Sequence, residues 1–60
     1  MEQIKIYIGN SITSEQYDAI ILDIGCSVHN DHVEKSFYIV VSKKSEDLVR
    51  MQLKDIFTSK

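Results

Sequence analysis

The chain has 60 residues, 43% of them apolar and 27% charged, with a formal net charge of −2, one cysteine, no proline and no tryptophan. That is one domain at most, spanning 1–60. It is too short for a nucleotide-binding α/β fold with its own substrate site or for a catalytic barrel, and too apolar for disorder. Such a chain buries only about 60% of the surface its unfolded form exposes, and a lone cysteine excludes an internal disulfide, so the composition favours a small core that gains from a partner subunit.

The longest apolar runs, Ala19 to Leu22 and Phe37 to Val41, are far below the roughly 20 residues that cross a bilayer. The start, Met1-Glu2-Gln3, has no basic stretch ahead of an apolar one, so no signal peptide is expected. With one unpaired cysteine, the expectation is a soluble cytoplasmic protein without membrane contact. Charge is uneven along the chain. Residues 1–34 hold six acids against Lys5, whereas residues 35–60 hold six bases against three acids. A dipolar chain of this kind steers a charged partner.

Residues 3–9 alternate Ile4, Ile6 and Ile8 with Lys5 and Tyr7, the period of a strand with one buried face; Gly9-Asn10-Ser11 then supplies turn chemistry. Residues 13–28 carry two patterns. As a helix, Thr13 and Gln16 form a capping box, Tyr17, Ile20, Ile21, Ile24 and Val28 share a face, and Gly25 stands near the C-terminal cap. As a strand, Ile20, Leu22, Ile24, Cys26 and Val28 share a face. The richness in β-branched residues favours the strand, which also puts Leu22 inside. His29-Asn30-Asp31-His32 reads as a hairpin connection. A returning strand over 33–42 follows, with Val33, Phe37, Ile39 and Val41 on one face. Residues 45–58 form a helix, with Ser45 as N-cap, Glu46 and Asp47 in the first turn, and an apolar arc of Val49, Leu53, Ile56 and Phe57.

These elements give an α+β fold: a three-stranded antiparallel sheet with one C-terminal helix packed on a face, in the order β-β-β-α. The competing order is β-α-β-α. In the first arrangement Tyr7, Ile21, Tyr38 and Val40 line the outer sheet face, and Leu48 and Met51 lie outside the helix's apolar arc. An outer face this apolar marks a contact surface, and these six residues are the candidates for self-association into a homodimer.

Few constellations carry chemistry. Cys26, His29 and His32 have a metal-like spacing, but in the strand register Cys26 points inward and His29 outward, so no metal and no other cofactor is expected. A buried thiol is inert, which removes the same residues as a nucleophile and its base. The segment Tyr17 to Gly25 resembles the strand bearing the phosphorylated aspartate of response-regulator receiver domains, with Asp23 in that position. The resemblance covers nine residues. Ile8-Gly9-Asn10 stands where that family has its acidic pair, and no later strand carries its lysine, so no phosphoacceptor is implied. The run Ser42-Lys43-Lys44-Ser45 ahead of a helix is similar in outline to double-stranded-RNA-binding modules, where lysines entering the last helix contact phosphates. Here Glu46 and Asp47 are spaced to pair with Arg50 and partly neutralise that edge.

The reading is therefore a non-enzymatic protein-binding module, an inhibitor or adaptor working as a homodimer on a protein target with a charged surface. In size and charge it resembles phage-type anti-defence inhibitors, some of which occupy DNA-binding sites with carboxylates. Glu15, Asp18, Asp23, Asp31 and Glu34 are the candidate partner-binding acids. The competing reading is a small dimeric nucleic-acid-binding regulator that uses Lys43, Lys44, Arg50 and Lys54.

Overall fold

Alternation sets the first element. β1 (Gln3–Gly9) turns Ile4, Ile6 and Ile8 to one side, and Ile6 is buried. The computed structural model, which describes residues 2–58, continues with α1 (Ser14–Ala19), which runs on into a π-helical turn over Ile20–Ile24. There follow β2 (His29–Asp31), β3 (Ser36–Ser42), a 3₁₀ turn over Lys43–Ser45, and α2 (Glu46–Thr58).

The sheet order is β1-β3-β2, with β3 antiparallel to both neighbours. Ile4 lies opposite Val41, Ile6 opposite Ile39, and Tyr7 opposite Tyr38; on the other side His29 lies opposite Tyr38 and Asp31 opposite Ser36. β1 and β2 therefore run parallel with β3 inserted between them, a split β-α-β unit whose crossover is α1 and the π turn. The helical segments cover one face. Ile6, Ile39 and Val41 from the sheet meet Ile20 from the crossover and Val49 and Leu53 from α2, with Ile4, Ile8, Ile24, Cys26, Val28, Ile56 and Phe57 packed around them.

The chain thus adopts the α+β fold expected, with a three-stranded antiparallel sheet and a C-terminal helix, but in the order β-α-β-β-α. The strand expected across 20–28 is helical through Ile24. Caps decide it. The Gln16 N–H donates to Thr13 Oγ1 (3.1 Å), and the Thr13 N–H donates to Gln16 Oε1 (2.9 Å), completing the capping box. At the other end the Gly25 N–H donates to the Ile20 carbonyl (3.1 Å) with Gly25 at φ 79°, a left-handed cap that suits glycine. Ile20 then points into the core, while Leu22, placed inside by the strand reading, is 81% exposed.

The third strand comes from residues 29–31, read from sequence as a connection. The turn proper is 32–35, so Val33 lies outside the strand and is exposed rather than on the inner face. Asp31 organises that turn: its Oδ1 accepts from the Val33 N–H (3.0 Å) and the Glu34 N–H (3.1 Å). Lys35 closes it in the left-handed region at φ 57°. The last helix begins one residue after Ser45, which sits in the 3₁₀ turn.

Candidate functional site

The helices occupy one side of the sheet, and among the described residues no element covers the other. Alternation sends Lys5 and Tyr7 of β1, Tyr38 and Val40 of β3, and His29 and Asp31 of β2 to this outer face. Tyr38, on the central strand, is its hub. The Tyr7 ring lies 5.6 Å from it and tilted, the His29 ring 5.3 Å away and stacked, and Lys5 Nζ 4.9 Å from its centroid. The Tyr7 hydroxyl donates to Asp31 Oδ2 at 2.9 Å, reaching over β3 and tying the two outer strands together.

Electrostatics fix the ends of this cluster. The Asp31 carboxyl is held below its ordinary range, first by the Glu34 N–H, then by the Tyr7 hydroxyl and the Val33 N–H, with Lys5 nearby. The same hydrogen bond raises the Tyr7 phenol, because ionising it would set a second negative charge against Asp31. Both groups move away from neutrality, opposite to what a general acid or base needs. The face is an amphipathic aromatic surface built across all three strands.

Of the residues proposed for self-association, Tyr7, Tyr38 and Val40 are together on this face. Ile21 is not. It lies in the π turn on the helical side, because the segment is a helix instead of a strand. Leu48 and Met51 are exposed on α2, which packs against the opposite face. The five candidate acids divide as well. Glu15 and Asp23 line an open groove between the crossover and α2 with Asp55, and Asp18 is exposed on α1. Asp31 and Glu34 belong to the β2–β3 turn. Among the bases, Lys43 and Lys44 are exposed in the 3₁₀ turn, and Arg50 Nε donates to Glu46 Oε2 at 2.9 Å on the surface of α2, with Lys54 one turn on. Cys26 packs toward the core and His29 toward the outer face, and among the described residues no group of three His, Cys, Asp or Glu is placed to hold a metal. No described helix is long and apolar enough to cross a membrane.

Of the groups around Tyr38, Lys5 and His29 are not among the candidates drawn from the sequence. Lys5 was legible, since it shares parity with Tyr7. His29 was not, because its partner register depends on a three-residue strand too short to show a period.

A second feature lies at right angles to this face. The far edge of β1 is unpaired among the described residues. Beside it runs an open groove floored by Ile6, Ile8, Leu53 and Phe57, with the exposed Arg50 and Lys54 at its side.

No protein-family model, curated protein or solved structure matches this chain.

Proposed function

We propose that this chain is a small non-enzymatic protein-binding module, an inhibitor or adaptor, that engages its target through the outer sheet face. The observation that carries this reading is the cluster of Tyr7, Tyr38 and His29 on a rigid sheet, flanked by one cation, Lys5, and one carboxylate, Asp31. Tyrosine offers large, stiff contact area with a polar tip, and such residues dominate binding energy at protein interfaces. Charges of both signs around them supply orientation and partner selection.

The nucleic-acid reading draws support from the same aromatics, because bases stack on such platforms. Two arrangements weigh against it. Lys43, Lys44, Arg50 and Lys54 are not interleaved with the aromatics, and Arg50 is already paired with Glu46. The carboxylate nearest the platform, Asp31, is bonded to Tyr7 itself and would repel a phosphate backbone.

The test is affinity capture from cell lysate treated with nuclease, followed by a high-salt wash. A protein target is expected to remain bound. Tyr38→Ala is expected to weaken its capture at least about 30-fold, the scale of a hot-spot residue at 2 kcal/mol. Leu48→Asp, on the opposite side of the molecule, is expected to leave it unchanged. Retention of nucleic acid alone, lost as salt rises, would transfer the function to the regulator reading.

A further inference from the structure

Long unpaired strand edges invite pairing, and folded proteins blunt them with prolines, bulges, charges or shortness. The two edges of this sheet differ sharply. β2 exposes three polar residues, His29, Asn30 and Asp31. β1 is seven residues long, has no proline, and carries one charge, Lys5; its one irregularity lies at its end, between Tyr7 and Gly9. The Glu2 carbonyl accepts from the Lys43 N–H across the ladder to β3 (3.0 Å). By alternation, the backbone groups of Ile4 and Ile6 also face β3, and those of Gln3, Lys5 and Tyr7 face the open edge.

We propose that β1 pairs antiparallel with β1 of a second copy of this chain, with Ile6 on the two-fold axis, so that two sheets join into one of six strands. Three observations select that occupant and register. Ile6 is the midpoint of Gln3–Gly9, so this register overlaps the whole strand. It sets Lys5 opposite the partner copy's Tyr7 and the reverse, two edge-facing pairs that exchange main-chain hydrogen bonds. The ammonium, over Tyr38 within its own copy, then turns to the Tyr7 ring of the other copy, a cation–aromatic contact made twice. Centring on Lys5 instead would oppose two lysines. Finally, Ile4 and Ile8 of the two copies meet on the helix side, where they extend the apolar floor of the groove formed by Ile6, Ile8, Leu53 and Phe57. The operation closes: the edges left over are the two short polar β2 strands, so the product is a dimer and not a fibre. It also doubles the outer face, joining two Tyr7–Tyr38–His29 clusters across one sheet.

Sedimentation equilibrium across the micromolar range tests this. A mass of twice the chain is expected. Lys5→Pro removes an edge-facing N–H without touching the ladder to β3, and is expected to give a monomer with unchanged helical circular dichroism. Should that variant unfold, a Lys5→Cys, Tyr7→Cys, Cys26→Ser chain decides instead: on mild oxidation it is expected to form a disulfide-linked dimer joining position 5 to position 7 of the other copy. A wild-type monomer at high micromolar concentration would overturn the proposal. A folded Lys5→Pro dimer, or cross-linking no faster than with Leu48→Cys in the same Cys26→Ser background, would overturn it equally. None of these outcomes depends on the identity of a target for the outer face.

Discussion

Asp31 does three things with one side chain: it closes the β2–β3 turn through two backbone N–H groups, accepts the Tyr7 hydroxyl, and puts a negative charge beside the aromatic cluster. Its stability effect has a defined sign. A carboxyl depressed in the folded state stabilises fully above its unfolded value, near 3.8, and the contribution is lost as pH falls through the folded value. A phenol raised in the folded state stabilises fully below its unfolded value, near 10.0, and that contribution is lost as pH rises through the folded value. The bond therefore contributes across the whole interval between, and fades at both ends. In Asp31→Asn, Tyr7 is expected to titrate at lower pH than in the wild type, read by phenolate absorbance, and the acid limb of the melting profile is expected to flatten. An unmoved Tyr7 titration would mean that the hydrogen bond does not form in solution. Lys35 makes the opposite case. Its φ of 57° costs a β-carbon about 1 kcal/mol, so Lys35→Gly is expected to raise the melting temperature by several degrees, measured by calorimetry.

Element by element, the chain was legible where period and caps agreed. β1, the body of β3 and α2 each have one pattern, and each forms close to where its residues indicate. Residues 13–28 carry two patterns, because isoleucines at 20, 21 and 24 suit a helix face, while 20 and 24 together with Leu22 suit a strand face. The tie is broken by main-chain hydrogen bonding at the ends: the Thr13–Gln16 box and the left-handed Gly25 satisfy groups that a strand would have had to pair elsewhere. Removing a cap should destabilise the helix accordingly. Thr13→Ala is expected to cost about 1 kcal/mol by chemical denaturation. Two charge insertions separate the helix from the strand directly. Ile20→Asp is expected to abolish folding, since Ile20 is fully buried, whereas Leu22→Asp is expected to fold with near-native stability. Equal damage from both would restore the strand. The outer face was half legible for the same reason: Tyr7, Tyr38 and Val40 sit on clear strands, but Ile21 lies in a helical turn where the sequence pattern favours a strand, and β2 is too short to announce His29.

As a whole the molecule rests on little. Among the described residues six hydrophobic side chains make up the buried core, and at the usual 0.05–0.15 kcal/mol per residue the chain commands about 3–9 kcal/mol in total. Leu53→Ala, costing about 2–5 kcal/mol, is therefore expected to leave a large unfolded fraction at 37 °C, visible as loss of amide dispersion in NMR spectra. The expected architecture of sheet plus terminal helix followed from the count of apolar faces; the insertion of β3 between β1 and β2 did not, since nothing local encodes which strands are neighbours. That inserted strand has a kinetic corollary. β2 and β3 are joined by a four-residue turn and can meet early, whereas β1 must arrive from the far side of the crossover. The Tyr7–Asp31 bond spans both events and forms only once β1 has arrived. A carboxylate bonded to a phenol quenches its emission, and this chain has no tryptophan to mask it. Its native fluorescence is thus expected to come from Tyr17 and Tyr38 with Tyr7 darkened, and the late dimming of Tyr7 in a stopped-flow trace would time the closing of the sheet without any added dye.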